Sequence, residues 1–498
     1  MSPRSSPRYQ PVPDSEDPST EFKDKPLSPR RLPLSLYLRK IRRVCRPAYI
    51  FLFLVLFLVW QITFNASYTN PPPFSVPTDE KVFIATNIVN KDLIDGVWGD
   101  RLVDLVNTIG RDRVFVSIYG GPKDALTRLE SRLQGVQKSI IAEADDPIDL
   151  ESLHRITLPS GQKRIKRIEY LADLRNRAMA PMTKGLLPER YDRVLFVNDV
   201  WFDVEGALRL LWGTMVNEQG KAEYKAVCAA DFVASWKYYD TYGTRDAEGY
   251  SIGVPIFPWF GSEGEARSRN DVLEGRDAVR VKSCWGGMVA FDETKLEPQG
   301  GVQGLPVRFR SEPENFWDAS ECCLVHADVI AAEGVVSGGG WGEDWGEGVF
   351  MNPFVRVAYD AGTWAGLGRV KRVERLFAGV QWVVNWAAGM PVFNDRRGER
   401  EGEVVRDRLW VRKGAGEEEI NKREYIQGTS TGNQRKPKEY WLKEGFYVDY
   451  ERVARRGGYC GVRQLTILRE GKSGGEGEGK IEMGWENLMG EVPVREGS

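Results

Sequence analysis

Short apolar runs of strand length alternate with stretches of helical spacing from Val82 to about Phe232, and nothing else in the chain constrains its fold as tightly. Val82–Ala85, Val114–Tyr119, Gln137–Ala142, Val194–Val197 and Ala226–Phe232 read as strands. Between them, Val97–Ile109 and Ala125–Leu133 repeat their apolar residues at three and four positions, which predicts helices. This alternation predicts an α/β, Rossmann-type, mostly parallel sheet with helices on both faces. Open sheets of that kind bind ligands outside the carboxyl ends of their strands. On this plan the ligand edge carries Asn87 and Asn90, then 117–121, then Asn198-Asp199. The run Val194–Val197 is apolar throughout, as in a strand buried on both faces, and stops abruptly at Asn198-Asp199.

Ahead of this domain the composition changes. Residues 1–31 are rich in Pro, Ser and charge and read as a disordered tail. Arg30, Arg31, Arg39, Lys40, Arg42, Arg43 and Arg46 follow with no acid among them. Ala48–Phe64 then runs without a charge, near the lower length limit for one membrane-spanning helix. The basic flank is expected in the cytosol, because Lys and Arg stay on that side, and the remainder beyond the membrane. The expected segments are a 1–47 cytosolic tail, a 48–64 signal-anchor, a 65–78 proline-bearing stem, a 79–394 globular domain and a 395–498 extension. That extension is rich in Gly, Glu and Arg and reads as largely disordered, with some structure allowed for 440–468. Residues 337–348 read as a flexible insertion. Asn65-Ala66-Ser67 is a glycosylation sequon that abuts the span and is expected to go unused. Five cysteines follow the span (Cys228, Cys284, Cys322, Cys323 and Cys460), so at least one is unpaired within the chain. Their spacing does not say which.

A net charge of -2, with no Lys/Arg-rich stripe after the membrane segment, argues against a nucleic-acid partner. No strand-linked GxGxxG and no Walker A loop is present; GxSxG occurs only at 428–432 and 471–475, outside any strand–turn–helix setting. Local constellations carry the rest. In 164–182, Ile168, Leu171, Ala172 and Met179 share a helical face with Arg175 at its centre. An inward arginine needs an anion, either a protein carboxylate or a ligand phosphate. Asp231 stands near the end of its strand. Asp240, Arg245 and Asp246 sit among tyrosines, which suits sugar recognition and equally suits a surface loop. Gly286-Gly287 interrupts the strand pattern of 279–292, by a close backbone approach to a ligand or by a bulge. In 320–330, Glu321 and His326 are five apart, so a helix would set them about 140° apart and a strand on opposite faces. Finally, 370–387 reads as an amphipathic helix with Val373, Leu376, Phe377, Val380, Val384 and Ala387 on its apolar face.

Seven blocks occur in an order that resembles one family: WGDRLVDLVNTIG, VFVSIYGGPKDAL, IEYLADLRNRAM, VLFVNDVWF, SCWGGMVAFD, SECCLVHADV and NPFVRVAYD. They resemble the fungal family of cryptococcal mannosyltransferase and capsule-associated proteins, glycosyltransferase family 69, over about residues 79–394. The resemblance implies a GT-A-like fold in a single-pass type II Golgi membrane protein with a lumenal catalytic domain. It implies retaining transfer of mannose from GDP-mannose to a mannan or mannooligosaccharide, in α-1,3 linkage, with Mn²⁺. Asn198-Asp199-Val200 stands where GT-A enzymes carry Asp-x-Asp. Asp199 therefore resembles the metal and diphosphate ligand, and His326 the histidine that completes the metal site. Asn87, Arg175 and Asn198 join Asp199 as donor-binding residues, Asp231 and Glu321 are the catalytic candidates, and Asp240, Arg245, Asp246 and Trp285 are assigned to the acceptor. Asn198 departs from the pattern, leaving one carboxylate where a metal usually meets two. Protein partners are not implied.

Overall fold

A computed structural model describes residues 47–65, 67–158, 162–296, 306–332, 348–392, 394, 396–412, 445–469 and 484–488. The 1–46 tail, both GxSxG segments and nearly all of the 337–348 insertion lie outside these residues. The described residues begin with the apolar helix α1 (Pro47–Phe64), which among them is the one helix long and apolar enough to cross a membrane. The domain opens with β1 (Val82–Asn87), α2 (Lys91–Asp95), α3 (Val97–Ile109), β2 (Val114–Tyr119), α4 (Lys123–Arg132) and β3 (Gln137–Ile141). There follow β4 (Arg155–Thr157), β5 (Lys163–Ile165), α5 (Arg167–Thr183), β6 (Arg193–Val197), α6 (Val204–Trp212) and β7 (Ala226–Ala234). Next come β8 (Lys237–Tyr238), β9 (Arg245–Asp246), α7 (Arg267–Glu274), β10 (Val279–Ser283), β11 (Met288–Asp292) and β12 (Asp318–Ala319). The domain continues through α8 (Glu321–Ala332), β13 (Val349–Ala358), α9 (Ala361–Val370) and α10 (Phe377–Ala388). Strands β14 (Val404–Arg412), β15 (Gly445–Val453), β16 (Gly461–Val462), β17 (Thr466–Arg469) and β18 (Gly484–Asn487) complete it.

One sheet of order β3-β2-β1-β6-β11-β7-β13-β10-β9, with β8 beside β7, organises the domain. The expected parallel arrangement holds for β3, β2, β1 and β6. Beyond β6 the sheet is mixed, because β11 runs antiparallel to both β6 and β7 while β13 is parallel to β7. The cause lies at the two glycines. The 279–292 segment is two strands on different sides of β7 and β13, joined where Gly286 and Gly287 both take positive φ. A Cβ on Gly286 would stand 1.8 Å from the Ala229 carbonyl oxygen. The close approach is thus to the protein's own backbone.

The alternation of side chains sorts the core into two layers. Val82, Ile84, Leu195 and Val197 face α3, α4 and α6, whose Leu102, Leu105, Leu129 and Leu211 close that side. Phe83, Ala85, Val194 and Phe196 face the other way, toward Ala172 and Met179 of α5 and Val325 and Val329 of α8. Val194–Val197 are fully buried, and each such side chain contributes about 1.5–3 kcal/mol through the area it removes from water.

The C-terminal extension, expected to be largely disordered with some structure over 440–468, forms strands where it is described: β14 pairs with β15, β16 with β12, and β17 with β18. A disulfide between Cys323 and Cys460 ties it to α8. A second joins Cys228 to Cys284, and Cys322 is free and buried. The helix expected over 370–387 is corrected: α9 ends at Val370, a turn and a 3₁₀ helix (Glu374–Leu376) follow, and only α10 from Phe377 is helical as expected, but turned inside out. Gln381 and Asn385 are its buried side chains, while Val380, Trp382, Val383 and Trp386 are exposed.

Candidate functional site

The sheet register brings the polar strand ends to one level. Ala85 is paired with Phe196, so Asn87 and Asn198 end together. Cys228 and Phe196 both oppose Val289, so Asp231 and Asp199, three residues further on each, reach the same height. Val357 pairs with Asp231, and Trp201 exchanges hydrogen bonds with Ala358 at 2.7 and 3.1 Å. These contacts set Tyr359 beside the Asn198-Asp199 turn.

Arg175 projects from α5 into this edge. Its Nε donates to Glu321 Oε1 at 3.0 Å and its Nη1 to Asn198 Oδ1 at 3.3 Å. The guanidinium lies 4.4 Å from the Trp285 ring and within 6 Å of Phe196 and Phe309. The anion it meets within the protein is the Glu321 carboxylate. Glu321, the first residue of α8, holds that arginine in place through its Oε1. The Asn198 backbone is pinned too, its carbonyl accepting from Trp98 Nε1 and its N–H donating to the Gly287 carbonyl, both at 2.9 Å.

Asp199 differs from its neighbours. Its carboxylate has no side-chain hydrogen-bond partner among the described residues; burial pushes its pKa up, and its own backbone N–H and the Arg175 charge oppose that shift. Asp231 is fully enclosed. Tyr359 OH donates to its Oδ2 at 2.8 Å and the Asp240 N–H to its Oδ1 at 3.0 Å. Burial, reinforced by the negative charge of Asp240, pushes Asp231 up to about 7. Tyr239 packs against Tyr359 with centroids 4.6 Å apart and is itself half exposed. Asn87 donates to the Leu174 and Tyr119 carbonyls and leaves its Oδ1 buried and unpartnered.

The structure does not bring His326 to this edge. The 320–330 block is a helix, not a strand, so His326 leaves Glu321 by 140° around the axis. Its ring packs on Phe291 at 5.5 Å, and Phe291 pairs with Val194 at the far end of β6. Five strand residues at about 3.3 Å each put that point on the order of 15 Å from Asp199. Nδ1 of His326 is bonded to the Cys322 carbonyl at 2.6 Å, and burial pushes the imidazole down to about 4. Among the described residues no group of three His, Cys, Asp or Glu side chains could hold a metal ion.

The expected acceptor residues are committed to the fold. Arg245 is buried and donates to the carbonyls of Tyr242, Thr244, Tyr459 and Cys460, fastening the C-terminal segment. Asp246 accepts from the N–H groups of Glu248 and Tyr250. Asp240 accepts from Gly243 N, Thr244 Oγ1 and Trp285 N, and Trp285 lies buried beneath Arg175. A polar loop near an aromatic cluster served packing here, because each charge met a backbone partner. A cavity of about 510 Å³ lies apart from the sheet edge, among 154–157, 312–317 and 450–458. Its Arg396 and Arg452 are already paired with Glu314, Glu399 and Asp407.

The family profile described as Cryptococcal mannosyltransferase 1 matches residues 81–328, the stretch that holds Asn87, Arg175, Asp199, Asp231 and Glu321. The chain belongs to that family. An alpha-1,3-mannosyltransferase of Cryptococcus neoformans var. neoformans serotype D is 26% identical to it over 283 residues. The alignment covers 52% of this chain and 54% of that relative, so the chain spans about half the length of the curated protein it matches. Glucosyl-3-phosphoglycerate synthase from Mycobacterium tuberculosis, in complex with Mn²⁺, UDP and phosphoglyceric acid, is similar at 11% identity and a TM-score of 0.29. That match covers 68% of this chain and 89% of the other. The same enzyme with UDP alone is similar at 12% identity and a TM-score of 0.28, over 65% and 88%. Within this cryptococcal mannosyltransferase family member, Tyr359 lies beyond the matched segment yet completes the edge. The rule that singled out Asp199, a polar residue closing a buried strand, applies equally to Tyr359 at the end of NPFVRVAYD.

Proposed function

We propose that the chain is a membrane-anchored glycosyltransferase of GT-A type. It moves mannose from GDP-mannose to a hydroxyl of a mannose-containing glycan, forming an α-1,3 linkage with retention and with a divalent cation such as Mn²⁺. The reading places the protein in the Golgi membrane with the sheet in the lumen and the basic tail in the cytosol. One observation carries it beyond family membership: a partly buried Asp199 carboxylate, without a side-chain hydrogen-bond partner among the described residues, beside Arg175 at the carboxyl edge of the parallel strands.

The cation fits only one mode. A protein-built cage is absent among the described residues. Hard cations are also held by one carboxylate together with the substrate's phosphates and water, and Asp199 suits that role. Bound there, the cation would supply Lewis-acid neutralisation of the departing diphosphate. Arg175 has five N–H donors, of which Glu321 and Asn198 engage two. The others are available to a diphosphate, in the planar geometry that guanidinium favours. Because Glu321 and the aromatic rings fix the group beforehand, its charge needs little reorganisation as the glycosidic bond breaks. Asp231, ionised, would stabilise the oxocarbenium-like sugar, with Tyr359 holding it. The exposed face of Tyr239 would take the acceptor's C–H surface.

A second reading, a non-catalytic member acting in polysaccharide assembly or export, is favoured by the internal pairing of Arg175. Full-length protein in nanodiscs, given mannobiose with GDP-mannose or UDP-sugars, with Mn²⁺ or EDTA, separates the two. Product from GDP-mannose that disappears with EDTA supports the transferase. Donor binding without turnover supports the second reading, and product insensitive to EDTA removes the metal from the mechanism.

A further inference from the structure

Helix α10 presents the wrong face to the protein. Its polar residues point inward: Gln381 donates to the Val254 and Phe260 carbonyls and accepts from Arg269, while Asn385 Oδ1 accepts from Val254 N. Its outward arc is Val380, Trp382, Val383, Val384 and Trp386, with Trp386 79% exposed and Trp382 57%. Val392, just beyond the helix, is exposed as well. A soluble domain gains nothing by showing water two tryptophans one turn apart on a valine-rich face, and contiguous patches of this kind mark a covered surface.

The chain's own connectivity says what covers it. Ser67 follows the last residue of α1 by three positions, and its N–H donates to the Lys371 carbonyl at 2.8 Å. Three residues reach at most about 11 Å. The Lys371 carbonyl is therefore held within about that distance of the end of the apolar run, and α10 begins six residues later. Between 361 and 392 the sole acid is Glu374, which is buried and paired with Arg356, whereas Arg369 and Arg372 are exposed. Tryptophan is the side chain that settles at the boundary between headgroups and acyl chains. A helix with one apolar face and basic neighbours lies in that plane without crossing it.

We propose that α10 is an interfacial membrane helix. Its Trp382–Trp386 face rests in the headgroup region of the bilayer that α1 spans, and so clamps the domain to the lumenal surface. The proposal rests on α1 being a membrane span, and the test keeps the two apart. The full chain is reconstituted into vesicles of phosphatidylcholine or of acyl-brominated phosphatidylcholine, and quenching of tryptophan emission is compared. The double variant Trp382→Phe/Trp386→Phe loses most of the bromolipid quenching that remains in Trp60→Phe, and Trp60→Phe loses a separate share. Unchanged quenching in the double variant, with the Trp60 share present, overturns the clamp and leaves the span. Loss of neither share overturns both. Tryptophans shielded from aqueous iodide but unquenched by bromolipid would mean a second copy or a protein partner covers the face, which also overturns the clamp. Since both tryptophans are exposed, an unchanged melting temperature confirms that the double variant is folded.

Discussion

The Tyr359 hydroxyl donates to Asp231 at 2.8 Å across 128 residues of sequence, joining the ends of two parallel strands. The bond favours the ionised carboxylate, against burial and the neighbouring Asp240, which together hold Asp231 at about 7. If the ionised form serves the transition state, kcat/KM rises as pH rises through about 7. Tyr359→Phe moves that midpoint to higher pH, and an unmoved midpoint would remove Asp231 from the reaction. The stability consequence has the opposite sense. A carboxyl whose folded pKa exceeds its unfolded value stabilises the fold at low pH, and that contribution is lost as pH rises through about 7. Asp231→Asn should flatten this dependence in thermal melts.

Asp199→Ala is expected to lower Mn²⁺-dependent turnover by a factor on the order of a hundred or more, the effect of removing one electrostatic stabiliser of the transition state. His326→Gln is expected to keep its metal requirement. Metal titrations of both variants check this, and a raised Mn²⁺ requirement in the histidine variant would reinstate it as a ligand.

Arg175→Met strands Glu321 as a buried, unpaired carboxylate. The cost is expected at about 3–5 kcal/mol. Adding Glu321→Gln should recover much of it, because no charge is then left without a partner. Denaturant midpoints of the single and double variants measure this coupling; equal midpoints would show that the pair is structurally idle.

Cys323 and Cys460 close a separation of 137 residues. Loss of such a crosslink costs about 2–5 kcal/mol, chiefly by freeing the unfolded chain. Cys460→Ser should lower the melting temperature and open 445–469 to trypsin while leaving β1–β6 resistant. Simultaneous cleavage of both regions would show that the C-terminal strands are integral to the domain's stability.

Local pattern carried much of this fold. Apolar runs of strand length, with helical spacing between them, were enough for β1, β2, β3 and β6 and their parallel pairing, since each preference is written within a few neighbouring residues. Arg175 was legible as an inward charge for the same reason, although not its partner, because Glu321 lies 146 residues away. His326 illustrates the opposite case. Its block is apolar enough for strand or helix, and that one choice moved the imidazole to the far end of the sheet. Arg245 and Asp246 looked like ligand groups because a sequence does not show the backbone carbonyls and N–H groups that a fold brings to meet a charge.

The sequence by itself determined the apolar N-terminal run, the α/β alternation and the polar residues that close the central strands, all of them short-range periodicities of side-chain polarity. Tertiary structure alone decided the reversal of the sheet beyond β6, the pairing of Tyr359 with Asp231 and the outward turn of α10. In each case the deciding contact is non-local: a carbonyl against a glycine, a hydroxyl against a distant carboxylate, or buried amides that outbid an apolar face for the protein's interior.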